Sequence, residues 1–144
     1  MTWNAPLSAY RFRETVTPRY ADLDRSGCLS SAAQLGLFEE GNRSARRAMS
    51  TVKRAGGGVI AQHTVRHLAP ATYPEPLLHA AAVVRLGNSS YEMQHLLVQD
   101  GRPVAVCNII AVYLGETGRP TPLPEDFRRD LAAWQLLEAG LEGR

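Results

Sequence analysis

From residue 12 to residue 20 the side chains alternate. Phe12, Glu14, Val16, Pro18 and Tyr20 share one side, and Arg13, Thr15, Thr17 and Arg19 share the other, the period of a strand with one polar face. Pro18 lacks a donor for a sheet ladder and places this strand at an edge or beside a bulge. Asp22 and Asp24 continue the alternation until Ser26-Gly27 ends it. The period then changes. Ser30 or Ser31 can cap a helix through AAQLGLFEEGNRSARRAM, with acids in its middle and arginines in its last turns, as the macrodipole favours. Gly36 and Gly41 each cost such a helix about 1 kcal/mol relative to Ala, which predicts a compensating close approach of another backbone. Three glycines at 56–58 end this region, and four apolar-rich segments follow: VIAQHTVRHLAP, LLHAAAVVRL, YEMQHLLVQ and PVAVCNIIAVYL. Asp100-Gly101 joins the last two as a two-residue hairpin. GNSS at 87–90 joins the pair before, with Gly87 and Asn88 able to take positive φ. One long helix must cover one face of a largely antiparallel sheet. The economical α+β architecture is a curved sheet wrapped around a central helix, followed by a Pro-rich turn and a short second helix in TGRPTPLPEDFRRDLAAW.

With 44% hydrophobic and 21% charged residues, the 144 positions fit one domain over residues 1–144. A net charge of +2, with no basic, aromatic-interleaved strand face, argues against nucleic-acid binding. Arg43, Arg46, Arg47, Lys53 and Arg54 crowd residues 43–54 and read as cations at a helix C-terminus on a solvated face. Cys28 and Cys107 are the only cysteines, which excludes a disulfide framework and suits a reduced compartment. No apolar run is long enough to span a membrane, so a cytoplasmic location is expected. His63 and His67 would chelate a metal on a helix, but in a strand four residues span roughly 13 Å. They read as satisfied sheet histidines, and His79 and His95 as lone strand histidines without an assigned role.

The segments YADLDRSGCLSSAAQLGLFEEGNR, LAPATYPEPL, RLGNSSYEM, QDGRPVAV and GRPTPLPEDFRR carry a resemblance over roughly residues 12 to 130. In order and spacing they are similar to the hotdog-fold acyl-CoA thioesterases of the 4-hydroxybenzoyl-CoA thioesterase-like family, in which D-x-D-x-x-G precedes the central helix. Many relatives place His and Asn after the loop Gly, where this chain has Cys28, Ser30 and Ser31. The acidic position is kept. The resemblance implies hydrolysis of a thioester to a free acid and coenzyme A, with Asp24 either attacking the carbonyl or activating water. Coenzyme A enters as part of the substrate, and no resident cofactor is expected.

Such chemistry needs donors for the oxygen that becomes negative. A helix beginning near Ser31 points free N–H groups back toward the Asp24 loop, so the backbone amides at Ser31 are the candidates. Asp22 reads as a positioning residue, since no third oxygen ligand follows to make a metal site. Glu39, on the family's acidic run, pairs with Arg43 at i,i+4 as a helix salt bridge. Cys28 has no His near it in sequence and reads as a small apolar residue rather than a nucleophile. The resemblance places Asn88, Ser89 and Ser90 along the coenzyme groove, with Arg119 as a further phosphate contact. It also implies a homodimer or homotetramer that buries a sheet edge. The alternative reading is a non-catalytic acyl-CoA-binding hotdog protein. A hydratase would want an Asp–His pair, which the sequence does not display.

Overall fold

The computed structural model describes residues 5–51 and 57–137. Lys53, Arg54 and the first of the three glycines lie outside the described residues. Strand β1 (Phe12–Val16) precedes helix α1 (Ser31–Met49), four long strands follow as β2 (Gly57–His67), β3 (Leu77–Leu86), β4 (Ser90–Gln99) and β5 (Arg102–Leu114), and α2 (Glu125–Ala132) comes last. The strands form one antiparallel sheet in the order β1-β3-β4-β5-β2. Local chemistry accounts for several joints. Asp100 and Gly101 take φ of 50° and 72°, the left-handed pair that a two-residue hairpin requires. Ser30 caps α1, its hydroxyl accepting the Ala33 N–H at 3.0 Å.

The sheet curves around α1. Phe12, Glu14 and Val16 face inward opposite Ala81, His79 and Leu77. Across β4 and β5 the inward row continues through Met93, His95, Leu97, Cys107 and Ile109. Phe38, Ala45 and Met49 of α1 bury themselves on this concave face. The outer face is partly covered too. Ala9 and Tyr10 pack with Ala80, Ala82, Leu96 and Val106, which explains why β3 is buried on both sides and carries three consecutive alanines. This is the hotdog fold, an α+β arrangement in which an open antiparallel sheet wraps one long helix.

Four sequence expectations require correction. The first strand ends at Val16, and Tyr20–Asp22 forms a 3-10 turn, so Asp22 and Asp24 do not continue an extended alternation. Gly87 and Asn88 do not take positive φ. Gly87 is needed for space, since a Cβ there would lie 2.9 Å from the Ser90 hydroxyl oxygen. Arg46 is not on a solvated face. Its guanidinium lies 5.0 Å from the Tyr91 ring centre and 4.7 Å from that of Phe127, and it donates to the Tyr91 hydroxyl. It thereby ties α1 to β4 and α2. Finally, the nearest neighbour of the crowded helix glycine is a side chain and not a backbone. A Cβ at Gly41 would lie 2.4 Å from the His79 ring, and Gly36 borders open space.

Candidate active site

Residues 22–30 double back as a small hairpin. The Ser30 N–H donates to the Asp22 carbonyl, Leu23 bridges Leu29, and the Asp24 N–H donates to the Cys28 carbonyl at 2.8 Å. Gly27, at φ 82°, makes the tip possible. This ladder ties the base of the Asp24 loop to Ser30, the cap of α1.

Asp24 is exposed, and its two carboxylate oxygens are used unequally. Oδ1 accepts the Ser26 hydroxyl at 2.6 Å, the Ser26 N–H at 2.8 Å and the Cys28 N–H at 3.1 Å. The Ser26 hydroxyl above all, and the loop amides after it, hold the carboxyl below its ordinary range. Oδ2 takes no bond from the described residues and faces out. On α1, Ser30 occupies the Ala33 and Gln34 amides, leaving the Ser31 and Ala32 N–H groups free of acceptors among the described residues.

Asp22 is buried, and Arg19 encloses it. The Arg19 backbone N–H, Nε and Nη2 all donate to its carboxylate, at 3.0, 3.3 and 2.8 Å. The Arg19 hydrogen bonds hold its carboxyl down. Cys28 is half-buried and bridged through its backbone to Thr72. Glu39 meets His63 of β2 rather than Arg43, with Oε1 2.7 Å from Nε2. His67 Nδ1 lies 2.8 Å from Gln34 Oε1. Both β2 histidines thus meet polar groups of α1. Among the described residues no group of three metal-binding side chains converges.

His79 and His95 are not lone histidines. Their rings stack at 5.2 Å with His79 Nε2 2.9 Å from His95 Nδ1, and His79 Nδ1 lies 2.9 Å from Glu14 Oε2. Both rings are fully buried. Linear sequence missed this contact because it joins three strands. The available signal was Gly41, whose missing side chain makes room for His79.

Asn88, Ser89, Ser90 and Arg119 all lie at the end of the sheet where β5 runs into its following turn. The Asn88 carbonyl accepts the Leu123 N–H, the Ser89 carbonyl accepts the Tyr113 N–H, and the Arg119 carbonyl accepts the Gly115 N–H within the following turn. This cluster lies at the far end of the sheet from Asp24. Strand β3 separates the two ends with ten residues, about 30 Å at the usual rise. One chain does not unite the two halves of the expected site.

Beside α1, on the side away from β2, lies a groove of about 490 Å³ between the helix and the β1 segment, lined by Glu14, Thr17, Asp22, Ala33, Gly36 and Glu40 among others.

Comparison with known proteins agrees with this fold. No curated protein matches the sequence significantly. Among solved structures, a thioesterase from Thermus thermophilus, in complex with coenzyme A and zinc, is 31% identical, with 94% of this chain and 97% of that one covered and a TM-score of 0.79. A predicted thioesterase from Bacillus stearothermophilus is 23% identical over 88% of this chain and 97% of that one, with a TM-score of 0.79. A 1,4-dihydroxy-2-naphthoyl-CoA thioesterase from Synechocystis shares the fold at 15% identity, with 84% and 95% covered and a TM-score of 0.74. The family model of the thioesterase-like superfamily matches residues 18–131, spanning the Asp24 loop, the central helix and all four long strands, and to that superfamily the chain belongs.

Proposed function

We propose that the protein is an acyl-CoA thioesterase acting as a homodimer or a higher homo-oligomer, with Asp24 as its reactive carboxylate. The observation that carries this reading is the split use of Asp24. One oxygen builds the loop and the other takes no bond from the described residues, while the Ser31 and Ala32 amides at the start of α1, where that loop ends, are unpartnered. Those amides are aimed for a thioester oxygen that becomes negative, and Asp24 Oδ2 for the carbonyl carbon or for a water attacking it. Hydrolysis places water's oxygen on the acyl carbon and releases the coenzyme thiol. Membership of the superfamily, and the coenzyme A complex of the Thermus relative, support the substrate class.

An open strand edge supports the dimer. Strand β2 is an edge, with Val59 48% and Ile60 37% exposed. A two-fold axis pairing β2 with a second β2 antiparallel sets the His67 end of one copy beside the Gly57 end of the other. The Asp24 loop of one chain then faces the Asn88–Ser90 turn and Arg119 of its partner, which join the halves that one chain keeps about 30 Å apart. Coenzyme A is assigned to that seam.

The test is Asp24→Asn. Its Oδ1 still accepts the three loop bonds, while the basic oxygen becomes an amide, so kcat should fall by at least ~10²-fold with the fold intact. Asp22→Asn, whose parent carboxylate is held by Arg19, should lose much less. Unchanged hydrolysis by Asp24→Asn across aromatic and aliphatic acyl-CoAs would reject the carboxylate mechanism. Coenzyme A binding without turnover in the native protein would favour the non-catalytic acyl-CoA-binding alternative.

A further inference from the structure

Helix α2 returns against the end of the sheet and fixes one cation there. Phe127 sets its ring edge-on to Tyr91 at 5.6 Å and lies 5.7 Å from the Tyr113 ring centre, while Asp130 accepts the backbone N–H and the hydroxyl of Thr51 at 3.0 and 2.6 Å. These contacts fix which way the helix faces. Arg128, half-buried between them in sequence, is turned toward the loop between β3 and β4. Its Nη2 donates to the Gly87 carbonyl at 2.8 Å and to the Asn88 carbonyl at 3.4 Å.

The consequence is a turn with one polarity. Besides the two carbonyls held by Arg128, Asn88 O accepts the Leu123 N–H at 2.9 Å, Ser89 O accepts the Tyr113 N–H at 2.8 Å, and Ser90 O accepts the Gly87 N–H at 2.7 Å. Every carbonyl from Gly87 to Ser90 is therefore occupied from within the chain. The donors are not. The Asn88 and Ser89 N–H groups and the Ser89 and Ser90 hydroxyls take no partner among the described residues. Positive charge stands beside them. Arg128 has no carboxylate partner among the described residues, and its Nη1 and Nε are unused there. A Cβ at Gly87 would lie 3.0 Å from the Arg85 guanidinium, which meets Glu92 only at 3.7 Å.

We infer that Arg128 is the positioning residue of the coenzyme site: by holding the Gly87 and Asn88 carbonyls against α2, it leaves the turn a surface of donors that takes a phosphate group of the substrate. The inference rests on the thioesterase reading, which assigns the Asn88–Ser90 turn to coenzyme A. An ionised phosphate is an acceptor, so free amides, hydroxyls and a nearby guanidinium match it, and a carbonyl swung outward would repel it. The pantetheine arm makes no such demand, because its amides and hydroxyl both donate and accept.

The experiment measures kcat and KM for one acyl group carried on coenzyme A and on pantetheine, which has no phosphate, with the native protein and with Arg128→Met. Met keeps an apolar stem and removes the guanidinium. KM for the acyl-CoA should rise about tenfold or more, the scale of one lost hydrogen bond to a charged group, with kcat unchanged and the acyl-pantetheine values unaffected. A merely structural role would weaken both substrates alike. A second measurement needs neither turnover nor a variant. In the native protein the amide NMR signals of Asn88 and Ser89 should move when free coenzyme A is added and stay in place with pantetheine. An unchanged KM for the acyl-CoA, an equal loss on both thioesters, a fall in kcat alone, or Asn88 and Ser89 amides indifferent to coenzyme A would each overturn the inference. Absence of all thioester hydrolysis in the native protein would overturn the thioesterase reading, while the amide titration still decides whether the turn takes a phosphate.

Discussion

Replacing Gly41 by Ala puts a methyl group into a place the structure has already filled. The new Cβ would lie 2.4, 2.7 and 2.8 Å from three atoms of the His79 ring. That ring has no room to retreat. It is fully buried, held at Nδ1 by Glu14 and at Nε2 by His95, and stacked on His95. In an open helix the substitution would stabilise by about 1 kcal/mol. Overpacking costs about 1–3 kcal/mol, and a broken histidine bond leaves a buried polar atom at a further cost of about 1–3 kcal/mol. The net expectation is a loss of about 1–5 kcal/mol. Gly36→Ala on the same helix is the control. Its Cβ meets nothing within 4 Å, so it should stabilise by up to about 1 kcal/mol. Urea denaturation followed by circular dichroism reads both as shifts of the midpoint at constant slope. A double variant, Gly41→Ala with His79→Ala, should recover part of the loss, because the two changes share one space. Gly41→Ala as stable as the native protein, or more so, would refute the close approach and the buried chain built on it.

Acid should weaken the fold in two steps. The buried neutral forms of His79 and His95 have pKa values lowered from 6.5, so their contribution is complete above pH 6.5 and is lost as pH falls toward the folded values. Each histidine protonated only in the unfolded chain removes about 1.4 kcal/mol per pH unit, and Glu14 partly offsets this for His79. Asp22 and Asp24, lowered from 3.8, add a second loss below that pH. Urea midpoints measured from pH 8 to pH 3 check the sign, and stability that rises from pH 6.5 to pH 5 would contradict it. The assembly prediction concerns β2: sedimentation at micromolar concentration should give at least two chains for the native protein and a shift toward one for Val59→Glu, which sets like charges along the pairing edge. A native monomer would remove the partner-built site.

Features that depend on a few neighbouring residues were legible in the sequence. The Asp100-Gly101 hairpin, the serine cap, the four long strands and the single covering helix follow from turn chemistry, capping and period. What sequence missed depends on strand order. Nothing in the linear pattern says that β1 lies against β3, yet that contact puts Glu14 on His79 across 65 positions. Arg46 was misread for the same reason. At a helix C-terminus a cation ordinarily faces water, and only the return of α2 brings Phe127 beneath its guanidinium. The early end of β1 is more local. Arg19 captures Asp22 three residues on and winds Tyr20–Asp22 into a turn, overriding an alternation that otherwise continues.

The site was legible as a motif, but the motif combines two physical demands. A side-chain acceptor at position 24 is required by the loop itself, because the tip around Gly27 presents the Ser26 and Cys28 donors. A matching D-x-D-x-x-G pattern therefore reports the shape of the loop whether or not the second oxygen does chemistry. Two substitutions separate these demands. Asp24→Ala removes both oxygens and should lose loop order and turnover together, seen as faster amide exchange at Ser26 and Cys28. Asp24→Asn keeps the acceptor, so exchange there should match the native protein while hydrolysis falls. If Asp24→Asn hydrolyses like the native protein and only Asp24→Ala fails, the carboxylate is a loop builder and the reactive group lies elsewhere. The acid to test next is then Glu39, which meets His63 on the open β2 edge.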